Sequence, residues 1–316
     1  MNHPLAKIPD GSHCTPHLQY ELCRQGQQAP FAVAARNLNE AYPRARVYGK
    51  MVDRTSHYWG ECLKTPLKIP SPATGEFLYL MVDGSFVQTR PNLWKEVKLA
   101  RVFPASARPE TKEAARPSET SFYTGSFAEA AVFTQQVEQM LPADAKLVVV
   151  ADGARWIWNW VEAAYPEATQ ILDFYHAMEH LGKLASAFME PAAAQTWLKG
   201  VKARLQGDEI AGILSEIAGW KTRSGTKRAI WKTERAYLER NQKRMRYGTF
   251  LRQGLRIGSG AMESANRKVV QYRLKLSGQR WSEDGASRIL ALRTTFLSNQ
   301  EDRLKALLRM EPHKAG

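Results

Sequence analysis

"AKLVVVADGARWIWNW", residues 145–160, carries an unbroken apolar run from Leu147 to Ala151 and then an Asp-Gly pair. A run with no polar alternation reads as a strand buried on both faces, as expected for parallel pairing inside an α/β sheet. It ends at Asp152. "FLYLMVDGSFVQTR", residues 77–90, repeats the grammar: an apolar strand runs into Asp83-Gly84 and continues beyond it. Asp-Gly is a common turn dipeptide, so either pair alone is explained by a turn. In a mixed sheet built in the order strand, strand, strand, helix, strand, however, the first and fourth strands are neighbours. Their two carboxylates then face each other.

The flanks fill in this α/β pattern. "LWKEVKLARVFP", residues 93–104, alternates Val97, Leu99, Arg101 and Phe103 as a second strand. Residues 108–125, rich in Pro, Ser and Thr, read as a loop. "SFAEAAVFTQQVEQMLP" follows as an amphipathic helix with Ser126 as its cap. "ARWIWNWVEAAYP" is a helix, "ATQILDFYH" a short strand leading out at Asp173, and "AMEHLGKLASAFM" a further helix. Residues 190–255 carry helical signals and no strand. Upstream, residues 30–63 read as two helices broken near Pro43, an arrangement that suits a helix-turn-helix, or equally any small helical hairpin, with Lys50 and Arg54 on its second helix. A proline-rich linker, residues 64–76, joins them to the sheet. The tail from Asn299 is charged and is expected to fray.

The formal charge is +14, from 45 basic and 31 acidic residues. Residues 220–275 hold 16 Lys and Arg against Glu234, Glu239 and Glu263, a net of +13. A solvated helical face would interleave both signs, so this segment reads as a surface for a polyanion, with Arg240, Lys243, Arg244, Arg246, Arg267 and Lys268 facing phosphates. No apolar stretch is long enough to span a bilayer, and the N-terminus lacks the apolar core of a signal peptide. The expectation is a cytoplasmic, polyanion-binding protein with no membrane partner. Cys14, Cys23 and Cys62 form no disulfide framework, and Cys14, His17 and Cys23 match no common zinc spacing.

Glu263 stands nearly alone in "RIGSGAMESANRKVVQYRLK", residues 256–275, beside Arg256, Arg267, Lys268, Arg273 and Lys275. The segment reads as one long helix with Glu263 near its first turn, where an acid complements the helix dipole and can pair with Arg267. If Asp83 and Asp152 share a site, Glu263 becomes a third carboxylate. Two close carboxylates repel unless a cation lies between them, and oxygen ligands suit Mg²⁺, or Mn²⁺ as a substitute. Such ions activate a water or a 3′-hydroxyl towards a phosphodiester.

"LYLMVDG", "WKEVKL", "VVVADGARWIWN", "ILDFYHAMEHL" and "GSGAMESANRKVVQYRLKLSGQRWS" together resemble the DDE transposases of bacterial insertion sequences, specifically the Kra-type group, and more distantly the Mutator-like transposases. The likeness runs from about Phe77 to Ser298. It implies a ribonuclease-H-like catalytic domain with a helical insertion before the last carboxylate. The divisions are then a helical N-terminal region at 1–75, catalytic core at 76–189 and 256–298, the basic insertion at 190–255 and a tail at 299–316. The resemblance implies that Asp83, Asp152 and Glu263 are the catalytic, metal-binding acids. Asp173 and His176 match an Asp-x-x-His signature that supports them, positioned to orient a phosphate or a water; on the residues alone, His176 reads as a structural histidine. The implied partners are double-stranded DNA, both transposon ends and target, and further copies of the chain on DNA, a homodimer or higher. Two other readings are a DNA-binding remnant of an insertion element with no catalysis, and a cellular ribonuclease-H-like nuclease; the basic insertion of about sixty residues argues against the latter. Trp156, Trp158 and Trp160 cannot share one helical face; core packing is their default role, with base stacking by one indole the alternative.

Overall fold

A computed structural model describes residues 14–91, 93–107 and 121–310. Helices α1 (Pro16–Gly26), α2 (Phe31–Ala41) and α3 (Gly49–Cys62) precede strands β1 (Leu78–Thr89), β2 (Leu93–Pro104) and β3 (Phe122–Ser126). Then come α4 (Ala130–Met140), β4 (Leu147–Ala151), α5 (Arg155–Ala164), β5 (Thr169–Leu172) and α6 (Phe174–Phe188). Helices α7 (Pro191–Gln206), α8 (Ile210–Ala218), α9 (Gly225–Asn241) and α10 (Tyr247–Arg252) follow without an intervening strand. Helix α11 (Gly260–Ala265) passes through a π-helical turn, Asn266–Gln271, into α12 (Tyr272–Leu274). Helices α13 (Glu283–Leu297) and α14 (Glu301–Met310) complete the described chain.

The architecture is α/β: an open, mixed five-stranded sheet of order β3-β2-β1-β4-β5, flanked by helices. β1, β4 and β5 are parallel, and β2 pairs antiparallel with β3. Every residue of β4 is buried, as its uninterrupted apolar run demands. β1 runs straight through Asp83-Gly84, so that pair is not a turn, whereas Asp152 does lie just past the end of β4.

The chain divides into two compact units. One joins Phe77–Val82 to Lys146–Ala261. Its strands β4 and β5 and the inner half of β1 adjoin the helical run α5–α10, so the segment read as an insertion belongs with half of the sheet. The other unit gathers the remaining described residues, including α1–α3, the outer half of β1, β2, β3, α4, α13 and α14. Here Leu22, Ala34, Ala35, Leu38, Val47 and Val52 form a core shared by α1, α2 and α3. α3 and α13 approach so closely at Gly60 that a Cβ there would lie 2.3 Å from the Arg288 carbonyl oxygen. The N-terminal helices are therefore packed into this unit.

Two buried arginines lock that packing. Arg273 donates from Nε to the carbonyl of Gly26 (3.0 Å), with its guanidinium 4.9 Å from the Phe31 ring and 4.8 Å from the Trp281 ring. Arg293 donates from Nη1 to the carbonyl of Gln27 and from Nε to that of Val269 (2.6 Å) in the π-helical turn. Burial pushes both guanidinium groups down to about 10, so both stay charged at neutral pH.

Several expectations are corrected. Residues 16–26, assigned no element from the sequence, form α1, which buries Cys23. Of the stretch read as a loop, residues 122–125 belong to β3; residues 108–120 lie outside the described residues, as do 1–13 and 311–316. Ser126 ends β3 and accepts from the Ala128 N–H (3.1 Å), while Glu129 occupies the N-cap of α4 without a side-chain bond. The tail does not fray from Asn299: α14 buries Leu304 and Leu308.

Candidate active-site residues

In the unit that holds α13, Asp83 is oriented by two donors. Its Oδ1 accepts from the Gly84 N–H (2.7 Å) and its Oδ2 from the side-chain amide of Asn266. Asn266 opens the π-helical turn three residues after Glu263, and π turns recur at functional sites. Its amide oxygen is buried and has no hydrogen-bond partner. Glu263 is exposed in the first turn of α11 and forms no ion pair with Arg267. Lys275 donates to Ser85 Oγ (2.9 Å).

In the unit that holds β4 and β5, Ala154 is the N-cap of α5 and Asp152 lies just before that helix. Its Oδ1 accepts from the Ala154 N–H (2.9 Å), and its carbonyl accepts from Trp158 Nε1 (2.7 Å). Asp173, fully buried, leaves β5 as the N-cap of α6: Oδ1 accepts from the His176 N–H (2.8 Å) and Oδ2 from the Ser259 N–H. Burial alone would raise the Asp173 carboxyl; the bonds from His176 and Ser259 outweigh it and hold it below the usual range. His176 Nδ1 lies 3.4 Å from Asp173 Oδ1. That carboxylate, helped by Asp152 and Glu179 and opposed by partial burial, pulls the imidazole up to about 9. Ile257 accepts from the Phe174 N–H and Arg256 donates its N–H to Tyr79 Oη, both at 2.9 Å. Together with Ser259, these bonds pin the segment that leads into α11.

Behind Asp152, Gly153 lies against the ring of Tyr237 from α9; a Cβ there would sit 2.1 Å from the ring. Tyr237 stacks on His180 with centroids 3.5 Å apart, and His180 Nδ1 bonds to the Glu234 carboxylate. Burial lowers His180 despite Glu234 and raises the Tyr237 phenol.

The register relates the two aspartates. Val82 pairs with Ala151 in the parallel ladder, and the next residue of each chain segment is Asp. Among the described residues, no three His, Cys, Asp or Glu side chains are gathered as a metal-ligand group. The Asp83 carboxylate offers oxygen ligands of the kind a hydrated hard cation takes, and the amide oxygen of Asn266 beside it is buried without a hydrogen-bond partner.

The basic residues separate by environment. Arg240, Lys243 and Arg246 are exposed, but Arg244 is buried. Its guanidinium donates to Gln170 (2.8 Å), Asn241 (3.1 Å) and Glu162, and sits 4.4 Å from the Trp158 ring. Arg244 therefore braces the fold, unlike its exposed neighbours. Arg267 is exposed and Lys268 half-buried, while Lys50 and Arg54 are exposed on α3. Trp158 takes the core role expected for the tryptophans.

Sequence reasoning missed Asn266, Tyr237 and the His180–Glu234 pair. Only Asn266 left a signal, its i+3 spacing from Glu263. No helix of the described residues is long and apolar enough to cross a membrane. No family model matches the chain, and no curated protein is significantly similar to it.

Proposed function

We propose that the chain is a DNA transposase of the DDE type, with a ribonuclease-H-like catalytic core, that cleaves phosphodiesters at transposon ends and transfers the strand. One observation carries the reading: two parallel neighbouring strands, in register at Val82 and Ala151, each continue into Asp-Gly. Supporting it are the motif resemblance, the Asn266 amide aimed at Asp83, and the exposed cations concentrated in residues 220–275.

On this reading Asp83, Asp152 and Glu263 hold divalent cations. Bound Mg²⁺ lowers the pKa of water or a 3′-hydroxyl and neutralises charge on the leaving oxygen. The chain's own residues orient the ligands. Asn266 and Gly84 fix the Asp83 carboxylate, Ala154 fixes that of Asp152, and the Asp173–Ser259 bond sets where α11 begins. His176, cationic at neutral pH through Asp173, offers a positive charge to a phosphate. The exposed Arg240, Lys243, Arg246 and Arg267 neutralise DNA backbone charge.

The test is nicking of a supercoiled plasmid, and of DNA carrying the element's own ends, with Mn²⁺ and with EDTA. Wild type nicks only with metal; Asp83→Asn and Asp152→Asn do not nick, yet bind duplex DNA as wild type does. Metal-independent nicking, or nicking by either variant, defeats the reading. Binding without any nicking leaves a DNA-binding remnant.

A further inference from the structure

A cleft of about 640 Å³ opens beside β5, between α5 and the segment 239–253. Its floor contains buried Trp158, Asn241, Arg244 and Phe250, and its rim carries Arg155, Asn159, Arg240, Lys243, Arg246 and Gln253. The two acids that line it are already engaged, Glu162 by Arg244 and Glu239 by Arg235 (2.7 Å). Among the described residues, Arg155, Arg240, Lys243 and Arg246 form no ion pair. Four cations without acidic partners therefore ring a concave space whose other polar groups are mostly amides.

The cleft is also held open by its own chemistry. Gln170, Asn241 and Glu162 fix the Arg244 guanidinium plane over Trp158. The wall that bears Thr249 and Gln253 is tied to the turn after α7. There Asp208, in the left-handed region at φ 67°, accepts from the Thr249 N–H (3.1 Å) and hydroxyl (2.8 Å) and from Arg252 (3.0 Å).

The volume lies within the range of about 300–1,000 Å³ typical of small-ligand clefts. It cannot enclose a double helix, whose major groove alone is about 12 Å wide. Rim cations suit a phosphate, a fixed guanidinium plane suits a stacked heterocycle, and side-chain amides suit the donor and acceptor edge of a base. We infer that this cleft takes one unpaired, 5′-phosphorylated nucleotide, its phosphate on the rim cations and its base over Arg244. The inference rests on the DNA reading only for the ligand's source: a frayed or single-stranded DNA end, or a free mononucleotide.

The experiment compares three probes at fixed salt. Fluorescence anisotropy measures a duplex with a short 5′-phosphorylated overhang against the same duplex blunt-ended; calorimetry measures deoxythymidine 5′-monophosphate against inorganic phosphate. The overhang is expected to bind about tenfold more tightly than the blunt end, the scale of one stacked base. The double variant Asn159→Ala/Gln253→Ala, at two exposed rim positions, is expected to lose most of that preference with blunt-end affinity and melting temperature unchanged. Mononucleotide binding that the double variant abolishes, without an overhang preference, assigns the cleft to a free nucleotide. Nucleotide binding with no duplex binding defeats the DNA reading and keeps the cleft. The proposal is overturned if wild type shows neither overhang preference nor mononucleotide binding, if phosphate binds as tightly as the nucleotide, or if the double variant leaves the recognition intact.

Discussion

Asn266 donates its side-chain amide to the Asp83 carboxylate although 183 positions separate them in sequence. The bond leaves the Asn266 amide oxygen buried and unsatisfied, so the residue is held for its effect on Asp83 at a cost to its own hydrogen bonding. Asn266→Ala is expected to destabilise by about 1 kcal/mol, a typical net hydrogen bond. Asn266→Asp places a second carboxylate beside Asp83. Repulsion raises the pair's pKa, so the variant's deficit is small below the carboxylate range and grows as pH rises through it. Melting curves at pH 4 and pH 7 check this, and Mn²⁺ at pH 7 is expected to close much of the gap.

His176 titrates near 9 in the folded chain, against about 6.5 for a free imidazole. A raised pKa means that the protonated form stabilises the fold. The contribution is whole below about pH 6.5 and is lost as pH rises through about 9. Wild type is expected to lose stability across that window, and His176→Gln to lose less. An NMR titration of the imidazole is expected to give a midpoint well above 7; a midpoint near 6.5 removes Asp173 as its partner.

Glu263 has no ion pair to lose among the described residues. Glu263→Gln is expected to change stability by no more than about 0.5 kcal/mol in EDTA, as for an ordinary surface substitution. Excess Mn²⁺ is expected to raise the melting temperature of wild type more than that of the variant, because only ligands of the folded state contribute linkage stabilisation. Nicking is expected to disappear while the fold persists.

Neighbouring basic residues are expected to divide by role. Neutralising Arg240, Lys243 and Arg246 together flattens the slope of log affinity against log salt by about 2 to 3, near 0.9 for each lost phosphate contact, with little change in melting temperature. Arg244→Gln is expected to do the opposite, lowering the melting temperature with little change in slope, because Glu162 and Gln170 lose their partner.

The readable parts of this chain were those whose burial is uniform. β4 announces itself because a strand covered on both faces admits no polar alternate, and Asp152 follows from where that run stops. β3 did not: "FYTGS" carries Gly125, against which Leu290 packs within 3.0 Å of where a Cβ would be, so a residue that signals a loop is there to admit a side chain. α14 hid because its charged residues outnumber the two leucines, four apart, that it buries. The basic run misled in another way. Charge alone cannot distinguish Arg240, in solvent, from Arg244 and Arg273, whose partners Gln170 and Gly26 lie 74 and 247 residues away.

The grip of Arg273 and Arg293 on the carbonyls at the end of α1 bears on how such a chain can be recombined. A chimera that exchanged residues 14–63 for another helical module would take from two buried guanidinium groups their acceptors at Gly26 and Gln27, leaving Arg293 only its bonds to the π-helical turn, and a buried charge that loses a partner costs several kcal/mol. The helices that bear Lys50 and Arg54 are thus not a detachable cassette. Any change in what they bind has to arise on the exposed face of α3, by substitution in place, and a graft survives only if its last turn presents two carbonyls where Gly26 and Gln27 now do.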